Sequence, residues 1–282
     1  VATPVREDEG TITGVGGVEL YWRSWTPTAA PPKGLVVLVH GMGEHCGRYD
    51  HVADALLARG YAVAAHDHRG HGRSGGKRSF IDRMDNLVAD IGTAFDRARA
   101  AVPDVPVVMV GHSMGGLSSA LWAVDNQDRL AGLVLSGPLA AMDQANAVTK
   151  AVARALSAAV PTMGMVAVES DALSHDPTVG EDYRQDPLVF SGKLPARTAA
   201  ELMTAVDAVQ RRAPELRLPL LILHGELDTL APPRGSQELF EKAVSTDKHR
   251  TVYDGMYHEI FNEVDREKVL AELTAWIDAH MV

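Results

Sequence analysis

The sequence predicts an α/β fold: a mostly parallel central sheet flanked by helices, with a helical cap inserted into it. Three observations lead there. Short apolar runs at residues 35–39, 61–65, 107–110, 130–135 and 218–224 read as strands buried on both faces. Segments of helical periodicity lie between them, which implies right-handed crossovers and parallel strands. Between residues 139 and 214 the rhythm breaks, with no buried-strand signal, and afterwards it resumes. The break therefore reads as an insertion rather than a linker-joined domain. The expected organisation is a core from residues 1–138 and 215–282 with a cap from 139–214 lying over the carboxyl ends of the strands, where open α/β sheets bind ligands.

Each element follows from local signals. Residues 11–15 and 18–25 flank Gly16-Gly17, a hairpin signature. Residues 27–32 form a polar, proline-rich connector. The strand at 35–39 ends at His40-Gly41-Met42-Gly43-Glu44-His45. Residues 50–59 place Val52, Ala55 and Leu56 on one helical face, and Gly60 closes the helix. The strand at 61–65 empties into a glycine- and charge-rich loop, 67–76. A helix at 85–101 stops before Pro103, and the strand at 107–110 precedes a helix at 117–124. The strand at 130–135 ends at Ser136-Gly137-Pro138. Inside the insertion, 145–160 is amphipathic and helical with only Lys150 and Arg154 charged, 163–168 continues apolar, and 197–212 is helical. A strand at 218–224, a helix at 237–244, a strand at 250–253 and a helix at 266–280 complete the chain.

Composition narrows the function. Of 282 residues 46% are apolar, enough for one sizeable core. A formal net charge of -10 disfavours nucleic acid and gives no electrostatic pull toward an anionic membrane. The single cysteine, Cys46, excludes an internal disulfide framework. No apolar run reaches the ~20 residues of a membrane span. No N-terminal stretch joins a basic start, an apolar run and a small-residue cleavage site. A cytoplasmic or peripherally membrane-associated protein is expected, with secretion an alternative because the chain starts at Val1.

The chemistry centres on Gly111-His112-Ser113-Met114-Gly115. A serine between glycines at a strand-to-helix junction is the nucleophile-elbow pattern. The tight turn lifts the hydroxyl clear of the sheet, over free N–H groups at the helix start. A serine needs a base and a group that orients the base. His258, in the loop after the last strand, is the expected base. Asp228, in the turn after the 218–224 strand, is the expected acid, with Glu226 and Asp143 as rivals. The loops open on one sheet edge, so the three side chains can converge. An oxyanion needs two donors. The N–H of Met114 supplies one, and the glycine-rich turn after 35–39 supplies the other, the N–H of Met42. His66, His68 and His71 have metal-like spacing, but no acidic or cysteine partner completes a site, so no metal is expected.

With these residues in view, the sequence resembles the bacterial monoacylglycerol lipases of the α/β-hydrolase superfamily. The matching pieces are the 40–45 turn with Arg48-Tyr49, Asp67-His68-Arg69-Gly70-His71-Gly72-Arg73-Ser74, the elbow, Asp186-Pro187-Leu188, His224-Gly225 with Asp228, and Tyr257-His258-Glu259 with Asn262-Glu263. The resemblance implies hydrolysis of monoacylglycerol, a small lipid ester substrate, and neither metal nor cofactor. It also implies that Arg48, His112 and Tyr183 hold the glycerol head while Glu44 braces the turn; a structural Arg48–Glu44 ion pair is the alternative. Two positions depart from the family pattern. Met42 replaces a smaller or different apolar residue, which is immaterial for a backbone donor. Glu226 replaces a small polar residue, and its carboxylate is expected to raise the pKa of Asp228. The apolar stretch 145–168, with Met142, Met163 and Met165, is expected to expose part of its face for transient contact with a membrane or micelle. A carboxylesterase, lysophospholipase, polyester hydrolase or thioesterase on the same triad is the rival activity. An acyltransferase rests only on the H-x4-D spacings His45 to Asp50 and His249 to Asp254. A catalytically dead binding protein is the rival from another class.

Overall fold

The computed structural model describes residues 4–142, 147–167 and 169–281. Among these lie ten strands: β1 Val5–Thr13, β2 Glu19–Pro27, β3 Leu35–Val39, β4 Ala62–His66, β5 Val107–His112, β6 Gly132–Ser136, β7 Gly164–Ala167, β8 Lys193–Pro195, β9 Leu220–Gly225 and β10 Lys248–Tyr253. Eight of them form one sheet in the order β1-β2-β4-β3-β5-β6-β9-β10. β1 and β2 pair antiparallel, as do β2 and β4, and the remaining neighbours are parallel. The expected mostly parallel sheet is present.

Strand alternation sorts the apolar residues into two cores. Leu35, Val37 and Val39 of β3 face one side with Val107 and Met109 of β5. Val36, Leu38, Val108 and Val110 face the other. Helix α2 (Met84–Ala101) buries Leu87, Ile91 and Phe95 on the first side, beside α3 (Met114–Asn126). Helix α1 (Asp50–Ala58) buries Val52 and Leu56 on the second, with Val269, Leu273 and Ile277 of α8 (Arg266–His280). A side chain such as Leu38 therefore contributes roughly 1.5–3 kcal/mol by leaving water on a face fixed by its register.

Between β6 and β9 lie α4 (Ala147–Ala159), the β7–β8 pair, α5 (Pro177–Gln185) and α6 (Ala196–Arg212). The β7–β8 ribbon stands where only an apolar continuation was expected; three of the four β7 residues are exposed, so it gives no buried-strand pattern. Helix α5 was not anticipated, although Asp176 caps it by accepting from Thr178 N at 3.0 Å and Pro177 opens it. Helix α6 lies inside the expected insertion, yet its Leu202, Ala205, Val206 and Val209 join the first core. Several boundaries also move. β1 starts at Val5 because its polar residues 6–9 sit exposed on an edge strand, and α7 (Pro233–Lys242) starts at its proline.

Candidate active site

The elbow forms where β5 meets α3. Ser113 has φ 54 and ψ -120, a conformation L-residues avoid and a nucleophile elbow requires. The flanking glycines are a packing necessity. A Cβ on Gly111 would lie 2.6 Å from the Gly115 carbonyl, and one on Gly115 would overlap the carbonyls of Val39 and His40. The turn is held by Ser113 N donating to Ser136 O at 3.0 Å and Leu139 N donating to Ser113 O at 3.1 Å.

The three expected side chains meet. His258 Nε2 lies 2.9 Å from Ser113 Oγ, and His258 Nδ1 lies 2.7 Å from Asp228 Oδ2. An ionised carboxylate only accepts, so Nδ1 carries the proton and Nε2 presents its lone pair to the serine hydroxyl. Asp228 Oδ1 accepts from Leu230 N at 2.9 Å and Ala231 N at 2.8 Å. Burial opposes ionisation of Asp228, but the charge of His258 and hydrogen bonds from His224 and His258 outweigh it and hold the carboxyl well below the usual carboxylate range. The expected upward shift from Glu226 is therefore corrected. Glu226 is exposed and accepts from Gly255 N at 3.0 Å. The other rival acid, Asp143, lies outside the described residues. At His258 burial works against the imidazolium, yet the Asp228 carboxylate, its hydrogen bond and the nearby Glu259 and Glu44 hold the pKa above the ordinary 6.5.

Met114 opens α3, where backbone N–H groups have no intrahelical acceptor. Met42 lies in the turn after β3. That turn runs close to Ser113, since a Cβ on Gly41 would sit 3.1 Å from Ser113 Cβ. His40 Nδ1 donates to Gly41 O at 2.7 Å and Gly41 N donates to Glu44 Oε1 at 2.6 Å, so the peptides on both sides of Gly41 are fixed. The Met42 thioether sits 3.3 Å from His71 Nε2 and from the Ser79 hydroxyl.

Arg48 is bound to carboxylates. It donates to Glu44 at 2.9 Å and to Glu259 at 2.5 and 2.7 Å. Glu44 also accepts from Tyr49 OH at 2.8 Å. The ion pair raised as the alternative reading is thus present, and it links the 40–45 turn to the loop bearing His258. Burial pushes Glu44 up, whereas Arg48 overcomes burial at Glu259 and holds it at about 2. The His112 ring lies tilted at 50° against His258 with centroids 4.7 Å apart, and burial, reinforced by His258, pushes its pKa down to about 3. Tyr183, on α5, lies under the Arg48 guanidinium at 5.0 Å, and its hydroxyl is buried without a hydrogen-bond partner among the described residues.

The groups that hold these loops, Glu259, Glu263, His45 and Asp186, lie among the matching residues of the sequence but were given no role there. Glu263 accepts from Tyr257 N at 2.7 Å, and Glu259 N donates to Leu173 O at 2.7 Å, pinning the His258 loop to the insertion. His45 Nε2 meets Asp186 Oδ2 at 2.8 Å and Phe190 N donates to Gly43 O at 2.7 Å, pinning the 40–45 turn in the same way. The available signal was charge paired at a distance: Arg48 with an acidic residue beside His258. The H-x4-D spacings build no second site, because His45 turns to Asp186 and His249 lies exposed on β10.

Behind the 40–45 turn sits a buried cluster of His40, His66, His68 and His71, with His40–His68 and His66–His68 centroids 4.3 and 4.9 Å apart. Among the described residues no group of histidine, cysteine, aspartate or glutamate is arranged to hold a metal ion. Burial pushes His66 and His71 down from 6.5 to about 4, and burial plus neighbouring imidazoles takes His40 and His68 well below 6.5. The unfolded chain protonates these rings as pH falls through about 6.5, while the folded protein keeps His66 and His71 neutral to near pH 4 and His40 and His68 neutral well below 6.5. Their contribution is complete above that range and is lost on acidification through it, at about 1.4 kcal/mol per pH unit for each ring. His258 and Glu44, shifted upward, offset part of the loss. The urea midpoint is therefore expected to drop steeply between about pH 6.5 and pH 5; an unchanged midpoint would contradict the neutral cluster.

The Hydrolase_4 family, described as serine aminopeptidase, S33, matches residues 30–265. A monoacylglycerol lipase of Mycolicibacterium smegmatis is 42% identical over 274 residues, covering 97% of this chain and 98% of that protein. A monoglyceride lipase of Mus musculus is 36% identical, covering 96% of this chain and 90% of that protein. The crystal structure of Paleococcus ferrophilus monoacylglycerol lipase superimposes with a TM-score of 0.84 at 30% identity, covering 93% of this chain and 99% of that one.

Proposed function

Because the chain belongs to the monoacylglycerol lipase family of the α/β-hydrolases, we propose that it cleaves monoacylglycerol to glycerol and free fatty acid through an acyl-enzyme on Ser113. The observation that carries the reading is the unbroken hydrogen-bond chain from Ser113 through His258 to Asp228. Ser113 Oγ attacks the ester carbonyl as His258 Nε2 takes its proton. The developing oxyanion is bound by the backbone N–H groups of Met42 and Met114, each such donor being worth about 10²–10³ in rate. The C–O bond to glycerol breaks as His258 returns the proton to the leaving alkoxide. Water, deprotonated by the same nitrogen, then attacks the acyl carbonyl; the bond to Ser113 Oγ breaks as His258 returns the proton to that oxygen, and the fatty acid leaves. Asp228 fixes the imidazole tautomer and faces the imidazolium in both halves of the reaction.

The glycerol head is assigned to the neighbourhood of Tyr183 and His112, on the side where Arg48 and Glu44 hold the turn. The unpartnered Tyr183 hydroxyl supports this, since a buried hydroxyl without a partner is costly until a ligand supplies one. A site built to bond hydroxyls also rejects esters that lack them. Residues 139–214 are proposed to act as the cap and as the face that touches lipid. Val148, Val152, Val160, Met163 and Val166 are exposed there, Met165 is half-buried, and Met142 instead packs against the core. No described helix is long and apolar enough to cross a membrane.

A substrate panel tests the reading. With 1-monoacylglycerol, lysophospholipid, triacylglycerol and a simple aryl ester presented side by side, the highest kcat/KM is expected on 1-monoacylglycerol, with the protein co-floating with zwitterionic vesicles. A higher kcat/KM on lysophospholipid or on the aryl ester would replace it with the broader esterase reading. Failure to co-float would remove the lipid-contact role alone.

A further inference from the structure

We propose that His224 is a positioning residue that sets the charge on Asp228 and, through it, the basicity of His258. The inference rests on the assignment of Ser113, His258 and Asp228 made above. His224 is fully buried at the end of β9, four residues before the acid. Its Nε2 lies 2.8 Å from Ala231 O and 3.1 Å from Asp228 Oδ2. A carbonyl oxygen only accepts, so Nε2 carries the proton and shares it between the two oxygens. Its Nδ1 is buried with no partner among the described residues. Burying an imidazole with one nitrogen unsatisfied is costly, and every hydrogen bond described for this ring goes to the Asp228 turn.

The consequence is electrostatic. Asp228 Oδ2 receives two N–H donors, His258 Nδ1 at 2.7 Å and His224 Nε2 at 3.1 Å, while Oδ1 receives the backbone N–H groups of Leu230 and Ala231. The His224 donor draws charge away from the oxygen that faces His258. Without it, that oxygen holds the His258 imidazolium more strongly, and the base becomes too reluctant to return its proton to the leaving alcohol. The same donor ties Ala231 O to the acid, which keeps Oδ2 aimed at the ring. The other groups acting on His258 are Glu259, Glu44 and the His112 ring, with Arg48 behind the two glutamates. All of these lie outside the Asp228 turn, so a change at His224 alters the acid without altering them.

The test measures kcat, KM and the acid limb of kcat/KM on a soluble aryl ester for wild type, His224→Leu and His224→Gln, with Ser113→Ala alongside. His224→Leu is expected to lower kcat by about 10–10² fold, to leave KM within about twofold, and to move the acid limb to higher pH. His224→Gln, which can place an amide N–H near the Nε2 position, is expected to recover most of kcat and the wild-type limb. An unmoved limb with wild-type kcat in His224→Leu overturns the inference, and so does a glutamine variant as impaired as the leucine one. If the leucine variant does not fold, ¹⁵N spectra of the wild-type histidines decide. The His224 Nε2–H resonance is expected to shift when a fluorophosphonate is bonded to Ser113 and His258 becomes charged; a stationary resonance overturns the inference. Hydrolysis persisting in Ser113→Ala would remove the triad reading itself. A dead Ser113→Ala with an unperturbed His224→Leu would remove only the role given to His224.

Discussion

Ser113→Ala is expected to lower hydrolysis of 1-monoacylglycerol by about 10⁶ fold, the scale on which a serine protease responds to loss of its nucleophile. The expectation is local. Ser113 Oγ stands 2.9 Å from His258 Nε2, and among the described residues no other hydroxyl hydrogen-bonds to that nitrogen. Ser136, at the end of the neighbouring strand β6, has its Oγ 3.3 Å from His112 Nδ1 and faces that imidazole instead. The substitution leaves the elbow backbone in place, because the bonds that hold the turn run through Ser113 N and O. The oxyanion donors survive as well, so a residual rate of roughly 10³–10⁴ over water is expected. Adding His258→Ala should then cost almost nothing further, because residues that act as one unit lose their effect together. Fluorophosphonate labelling should vanish in Ser113→Ala and persist, more slowly, in His258→Ala. Turnover above about 1% of wild type in Ser113→Ala would sink the nucleophile assignment.

The elements that were legible in the sequence are those whose residues face only one kind of neighbour. β3, β5, β6 and β9 are buried on both sides, so each reads as an apolar run and each was anticipated. β1, exposed along most of its length, and β7, with three of four residues exposed, carry no such pattern; most of β1 and all of β7 were missed. The insertion misleads for a related reason. α6 packs its apolar face on the core, while α4 leaves Val148 and Val152 in solvent, yet both are amphipathic helices to a reader of the sequence. The convergence of Ser113, Asp228 and His258 was legible because topology sends each core strand's end to the same edge. The groups that aim them were not. Glu263 acts through Tyr257 N, and Glu259 acts through Arg48, which is 211 residues away in the chain. Nothing local marks such a pairing before the fold brings it together. The Glu226 expectation failed on the same account: two residues from the buried Asp228 in sequence, Glu226 is exposed and accepts from Gly255 N instead.

Asp228→Asn is expected to cost about 10⁴ fold in kcat with KM little changed, because it inverts the tautomer of the base rather than removing a contact. An amide has one accepting oxygen where a carboxylate has two. At position 228 that oxygen is claimed by the N–H groups of Leu230 and Ala231, which the turn holds at 2.9 and 2.8 Å. The amide NH₂ must then occupy the place of Oδ2, facing His258 Nδ1 at 2.7 Å and the His224 donor at 3.1 Å. Donor would meet donor at both contacts; His224 keeps Ala231 O as its acceptor, and His258 escapes the clash only by giving up its Nδ1 proton and accepting. It then carries its proton on Nε2 and can no longer take one from Ser113. Turning the amide over would leave the Leu230 and Ala231 N–H groups facing an NH₂, at a cost of about 1–3 kcal/mol for each buried group left unpaired. Glu226 cannot replace the lost carboxylate, since it is exposed and bonded to Gly255 N. Asp228→Ala, which leaves space rather than a misplaced donor, should therefore be no worse than Asp228→Asn although it removes more atoms. Full activity in Asp228→Asn, with Glu226→Gln inactive, would transfer the orienting role to the neighbouring carboxylate and undo this ordering.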